Sequence, residues 1–293
     1  MTVTAAPPTA AHLLRGSEPL PLPTLGWGPV EAQAAVAEAR LVLDIPEATV
    51  VSALTTVVLR AGELAVKVYP PGTDPEHLWA ITAALAGSDT AVLLERAPIV
   101  TSYGVVAISR WLADGKPVSW PRLGRLLRRF HAEAATANLP PWVPLRRLPP
   151  LVAGLMPDHA QVLLNARDVL LDALAGVGSV VGDGLIHGDV SPSNVLAGPY
   201  GSQFIDLDFA ARGPREYDLA SAARRLLSGE IDARTYRKFC RRYGFDVREW
   251  DGLPLVDRIA DLGGVAFRLW DSRHHGRDLS WVEDAVATWR TPL

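Results

Sequence analysis

The 293-residue sequence predicts an α+β chain of two lobes, a small mixed lobe built on antiparallel strands followed by a larger, mostly helical one. Three observations predict it. Between Val50 and Ser109 the apolar residues fall in short runs separated by turn residues, the pattern of strands. From Pro121 onward they recur at helical spacing. Between Leu185 and Asp206 the helical pattern gives way to a loop and a short strand, turn and strand, whose ends carry Asp189, Asn194 and Asp206.

Taken in order, residues 1 to 30 are rich in Pro and Ala and lack the basic start and long apolar core of a signal peptide, so they read as a loosely ordered extension. Glu31 to Leu43 is an Ala-rich helix with Ala35, Val36, Ala39, Leu41 and Val42 as its apolar face, expected to pack on the small lobe. Val50 to Arg60 reads as two strands joined by a turn, and Leu64 to Tyr69 as a third strand. Alternation puts Leu64, Val66 and Val68 on one face of it and Ala65, Lys67 and Tyr69 on the other. The next helix starts with Asp74 as N-cap and Pro75 as its first residue and runs to Leu85. Strands follow within Ala91 to Ser109. Helices are expected over Arg122 to Ala137, Asp158 to Ala175, Pro214 to Ser228, Asp232 to Tyr243, Asp257 to Ser272 and Trp281 to Trp289. The expected domains are therefore the extension over 1–30, a small lobe over 31–112 and a large lobe over 113–293.

Composition narrows the function classes. At 48% apolar content the chain can bury a substantial core, and charges interrupt every apolar stretch before the roughly eighteen residues that a membrane span needs. The lone Cys240 cannot form an internal disulfide, which with the lack of an export signal points to the reducing cytoplasm. A net charge of −3 offers no general attraction to nucleic acid or to an acidic membrane. Arg122, Arg125, Arg128 and Arg129 accordingly read as the solvated face of a helix, and His274-His275 as an exposed pair rather than a metal site.

The chemistry sits in Ile-His-Gly-Asp-Val-Ser-Pro-Ser-Asn-Val-Leu, residues 186 to 196, and Phe-Ile-Asp-Leu-Asp-Phe, residues 204 to 209. Pro192 breaks any helix, so Gly188 to Ser193 is a loop; Val195 and Leu196 leave it as a strand. Gly198, Pro199, Gly201 and Ser202 make a turn, Phe204 and Ile205 return, and Asp206 stands at the exit. Phosphoryl transfer asks for a carboxylate beside the attacking hydroxyl and oxygen ligands for Mg²⁺. Asp189 suits the first role, Asn194 and Asp206 the second, and the four residues between Asp189 and Asn194 match the Asp-x-x-x-x-Asn core of a kinase catalytic loop.

These residues resemble the aminoglycoside phosphotransferase and choline kinase branch of the protein-kinase-like fold, in which His-Gly-Asp replaces the His-Arg-Asp of protein kinases. The resemblance implies a bilobal kinase-like fold, Asp189 as catalytic base, and Asn194 and Asp206 as magnesium ligands. It also implies His187 as a scaffold of the loop, and Asp218, in Tyr217-Asp218-Leu219-Ala220, as a brace beneath it. Asp208 stands where protein kinases have the Gly of Asp-Phe-Gly, and both assistance to the metal and exposure to water are open to it.

A kinase reading requires a phosphate-binding Lys upstream, and Leu64-Ala65-Val66-Lys67-Val68-Tyr69 supplies Lys67 in mid-strand. The turn expected over the phosphates, Ser52 to Thr56, contains no glycine; Ser52 and Thr55 hydroxyls and backbone amides can still donate, which predicts modest nucleotide affinity. The segment Ser109-Arg110-Trp111-Leu112 fits the linker that meets adenine, placing Trp111 at the nucleotide. Glu76 is the one acid in the following helix available to Lys67, and the helix dipole already accounts for it. After Gly229, tryptophans mix with carboxylates, and Trp270 with Asp271 is the expected contact for a cationic acceptor.

The expected protein is thus an ATP- and Mg²⁺-dependent phosphotransferase acting on a hydroxyl of a small molecule of aminoglycoside, choline or other metabolite type. Its partner is that acceptor, with neither nucleic acid nor membrane. A nucleotide-binding regulatory protein with little catalysis is the alternative. A hydrolase built from His187, Asp189, Asp206 and Asp208 around a transition metal is a further one.

Overall fold

The structure, a computed structural model, describes residues 28–112, 118–133, 139–198 and 201–293. The expected N-terminal extension lies outside them up to residue 27, as do Pro199 of the expected turn and the end of the helix expected to reach Ala137. In chain order the elements are α1 (Pro29–Leu43), β1 (Thr49–Ala53), β2 (Val57–Ala61), β3 (Leu64–Tyr69), α2 (Pro75–Ala84), β4 (Ile99–Val100) and β5 (Val105–Arg110). Then come α3 (Trp120–Ala132), α4 (Leu148–Val152), α5 (Pro157–Ala175), β6 (Asp183–Ile186), β7 (Val195–Gly198), β8 (Gly201–Phe204) and β9 (Ala211–Pro214). Last are α6 (Glu216–Leu227), α7 (Ala233–Tyr243), α8 (Leu253–His274) and α9 (Val282–Trp289). The architecture is α+β, with an antiparallel sheet in the first part and helices predominating in the second. Two compact units divide it: residues 143–178 with 251–293, and the remaining described residues.

In the larger unit five strands form an antiparallel sheet in the order β1-β2-β3-β5-β4. One face carries Leu59, Val66, Val68, Val106 and Ile108, all buried, and α1 covers it with Ala35, Val36 and Ala39. Each Val or Leu withdrawn from water in this way contributes about 1.5–3 kcal/mol. Leu41 and Val42, expected on the same stripe, are instead 81% and 49% exposed. The buried stripe runs through Ala32, Ala35, Val36, Ala39 and Leu43, which keeps a 3.6-residue period to the end of the helix. Strand β1 is an exposed edge, and a bulge between Val50 and Ser52 breaks its register with β2. The opposite face of the sheet buries Tyr69, Val105 and Ala107 against Leu78 of α2. The Asp74 side chain caps α2 as expected, accepting from the backbone N–H of Glu76 and of His77.

Helices α3 and α7 press together at Gly124, where a Cβ would lie 2.7 Å from the Phe239 carbonyl oxygen. Strands β6 and β9 pair antiparallel, and so do β7 and β8, with Val195 opposite Phe204 and Gly198 opposite Gly201. Pro214, expected to open a helix, ends β9 opposite Asp183, and α6 begins at Glu216.

The smaller unit packs α4, α5, α8 and α9 around Leu148, Leu163, Leu170, Ile259, Leu262 and Trp270. Helix α4 has no counterpart in the sequence expectations: it is five residues long, with Pro149 and Pro150 in its first turn. Helix α8 starts four residues before the expected Asp257 because Pro254, near its N-terminus, has no intrahelical bond to lose. No helix among the described residues is long and apolar enough to cross a membrane.

Candidate active site

The loop after β6 is anchored from below. Asp218, in the first turn of α6, has a fully buried carboxylate that accepts the backbone N–H of His187 at 2.7 Å and of Gly188 at 2.9 Å. It also faces Nε2 of the buried His131 at 2.9 Å, and His131 Nδ1 lies 2.8 Å from the Tyr243 hydroxyl. Because a carboxylate only accepts, His131 carries its proton on Nε2 and receives the tyrosine hydroxyl on Nδ1. Three helices, α3, α6 and α7, therefore meet under the loop through one polar chain.

His187 is itself fully buried. Its Nδ1 accepts the Asp189 N–H at 3.2 Å and its Nε2 donates to the Ile205 carbonyl at 3.0 Å, so one imidazole ties the start of the loop to the end of β8. Gly188 has φ of +82°, and a Cβ there would stand 2.4 Å from the Phe209 carbonyl oxygen, so no side chain fits. The loop passes that point and presents Asp189 to solvent.

Asn194 closes the loop. Its side-chain nitrogen donates to the Asp189 backbone carbonyl at 2.9 Å and to Asp189 Oδ2 at 3.0 Å, which sets the carboxylate's direction. The Ile205 N–H donates to the Asn194 carbonyl, so the β7–β8 ladder runs on and brings Asp206 beside Asn194. Asp206 adopts the left-handed conformation, φ 61° and ψ 58°, which Asp tolerates better than most residues. The chain turns there and delivers Asp208 to the same place.

Lys67 reaches both carboxylates from β3, with Nζ 2.6 Å from Asp206 Oδ1 and 2.6 Å from Asp208 Oδ2. The Tyr69 hydroxyl donates to Asp208 Oδ1 at 2.7 Å. Burial opposes the lysine's charge, but Asp208, Tyr69 and Asp206 outweigh it and hold its pKa well above the ordinary value. For Asp206 burial is likewise outweighed, by Lys67, and its pKa is lowered. Asp208 is more enclosed; burial prevails over the attraction of Lys67, the charge of Asp206 adds to it, and its pKa is raised. Burial, together with Asp208, pushes the Tyr69 hydroxyl well above its usual value. Glu76, the acid weighed as a partner for Lys67, is exposed, and the lysine's anions come from the segment after β8 instead.

Asp206 and Asp208 already hold one cation between them, the Lys67 ammonium, and the hard oxygens of Asn194 and the more exposed Asp206 are of the kind that fits Mg²⁺. Among the described residues no group of three or more His, Cys, Asp or Glu is placed to hold a metal ion. Both nitrogens of His187 are engaged within the protein, which removes the imidazole that a transition-metal hydrolase would use.

The other expected residues make contacts of their own. Ser52 is on the exposed edge strand β1, and Thr55 is in the turn after it, where the Leu54 N–H bonds to the Thr56 carbonyl. The Trp111 backbone N–H donates to the Glu63 carbonyl, and Arg60 lies over the indole ring. In the smaller unit Trp270 is 6% exposed and stacked on His274, and Asp271 pairs with Arg277 and His275. The faces of Trp281 and Trp289 are covered by Arg268 and Arg258. Sequence reasoning overlooked Tyr69 and His131. Tyr69 had a signal, two residues from Lys67 on the same strand face, whereas His131 shows only as the end of an amphipathic helix.

The family model for the phosphotransferase enzyme family, APH, matches residues 55–254. The chain belongs to this family. The matched residues include Lys67, the whole segment from His187 to Asp208, and Asp218. No curated protein sequence matches the chain. Among solved structures, a choline/ethanolamine kinase family protein from Mesorhizobium loti is similar with a TM-score of 0.58 and 17% identity, covering 89% of this chain and 92% of that one. An amicoumacin kinase in complex with AMP-PNP, Ca²⁺ and Ami has a TM-score of 0.60 and 15% identity over 88% and 91% of the two chains. An aminoglycoside phosphotransferase from Streptomyces rimosus has a TM-score of 0.58 and 16% identity over 80% and 99%. At these identities the likeness establishes the protein-kinase-like fold.

Proposed function

We propose that this family member transfers the γ-phosphoryl group of ATP, with Mg²⁺, to a hydroxyl of a small molecule. The observation that carries the reading is the meeting of Lys67 with Asp206, 139 positions apart in sequence and 2.6 Å apart in space. A lysine on a strand and a carboxylate after a catalytic hairpin are the parts that phosphoryl transfer brings to one place. Asn194 and Asp206 would hold the metal, which when bound supplies charge neutralisation at the phosphates. Lys67 would bind the phosphates as a point charge. Asp189, exposed at the tip of a braced loop and aimed by Asn194, would accept the acceptor's proton as its oxygen bonds to the γ-phosphorus and the bond to the β-phosphate oxygen breaks. The buried, unpaired Cys240 is in keeping with work in a reducing cytoplasm.

The test is transfer of label from γ-labelled ATP into a polar metabolite extract supplemented with aminoglycosides and macrolides, with Asp189→Asn beside the wild type. The expected outcome is a labelled small molecule made by the wild type and reduced about 10²–10⁴-fold by the variant, which keeps its ATP binding. Equal turnover by both proteins removes Asp189 from the mechanism. The glycine-free segment Ser52 to Thr56, exposed from Ser52 to Leu54, favours one competing reading, a nucleotide-binding regulator. Binding of ATP with no labelled product from any acceptor supports that reading.

A further inference from the structure

A largely buried ammonium at a phosphate site needs a fixed counter-charge. Helix α2 offers Lys67 none: Glu76 is exposed, and residues 77–84 carry no carboxylate. The lysine's two anions, Asp206 and Asp208, are not equivalent. The Asp206 side chain is 39% exposed and is the one assigned above to the metal, whereas that of Asp208 is 11% exposed and uses its second oxygen to accept the Tyr69 hydroxyl. Tyr69 follows Lys67 by two residues on β3, so the pleat sends both side chains to one face. The tyrosine is 3% exposed, and its ring centre lies 5.0 Å from Lys67 Nζ. Its hydroxyl would lack a partner without Asp208, and Asp208 would have one oxygen less committed without Tyr69.

We propose that Tyr69 is a positioning residue whose hydroxyl holds Asp208 against Lys67 as the lysine's lasting counter-ion, leaving Asp206 free for the metal. Strand and metal segment together thus supply what α2 does not. The inference rests on the phosphotransferase reading and adds to it a division of labour between two carboxylates. Without the hydroxyl Asp208 drifts, Asp206 becomes the lysine's remaining anion, and the metal must compete with Lys67 for it.

Calorimetric titration of ADP with and without Mg²⁺, in wild type, Tyr69→Phe, Asp208→Asn and the double variant, tests this. Tyr69→Phe is expected to weaken Mg²⁺-dependent ADP binding about tenfold while metal-free ADP binding stays at the wild-type value. The double variant is expected to be no weaker than Asp208→Asn, because both changes remove one device. Unchanged Mg²⁺-ADP binding in Tyr69→Phe, equal loss with and without Mg²⁺, or additive losses in the double variant each overturn the inference while leaving the phosphotransferase reading in place. Failure of the wild type to bind Mg²⁺-ADP overturns that reading and this inference with it.

Discussion

Two carboxylates twelve residues apart, Asp206 and Asp218, show opposite uses of the same group. Asp218 is fully buried and accepts from two backbone amides and one imidazole, none of which a ligand can replace without dismantling the loop. Asp206 is 39% exposed, held by one ammonium on a flexible stem, and sits at a left-handed turn. Directional hydrogen bonds from fixed donors make a brace, whereas a point-charge partner can be exchanged for another cation. The depth of each group in the fold decides which it becomes.

The comparison breaks most visibly at Asp218. Asp218→Ala leaves two amides and His131 without an acceptor in a dry site and is expected to lower stability by about 3–5 kcal/mol in urea denaturation. A loss below about 1 kcal/mol would show that the carboxylate is no brace. At Asp206 the effect should move from stability to binding. Asp206→Ala is expected to change stability by less than about 1 kcal/mol, since Lys67 retains Asp208, while Mg²⁺-dependent nucleotide binding fails. A large stability loss with intact binding would reverse the assignment.

The smallest effect belongs to a half-buried carboxylate held by Arg248 and Tyr236. The Arg248 hydrogen bond, against partial burial and with help from the Tyr236 hydroxyl, lowers the Asp246 pKa to about 2 from its usual 3.8. A depressed pKa stabilises the fold above the unfolded value, and that contribution is lost as the pH falls from about 3.8 through about 2. Asp246→Asn should therefore show a slightly shallower fall of stability across that window in acid titrations followed by denaturation. An identical slope in variant and wild type would mean that the pair contributes nothing.

Much of this was legible in residue order because the signals act between neighbours. Pro192 and Gly188 forced a loop, the glycines at 198 and 201 forced a hairpin, and these brought Asp189, Asn194 and Asp206 together within twenty residues of chain. Strand alternation turned Lys67 away from the face that α1 covers. The partner of Lys67 was not legible: nearby along the chain the sequence offered only Glu76, which the helix dipole already explained, while the anions that reach the lysine stand 139 and 141 positions away. Trp270 and Trp289, for which a core place was the commoner reading and a pocket the alternative, are buried, and composition alone could not decide it because it does not say which side of a helix meets its neighbours.

By itself the sequence determined most of the elements, the loop from Gly188 to Ser193 and the face on which Lys67 stands, since backbone dihedrals, turn residues and periodicity are properties of adjacent residues. Only the tertiary structure decided that Asp208 is shared by Lys67 and Tyr69, and that His131 and Tyr243 hold Asp218 under the loop. Those contacts join strands and helices through the packing of a whole unit, and a buried polar group takes whichever partner that packing brings within hydrogen-bond reach.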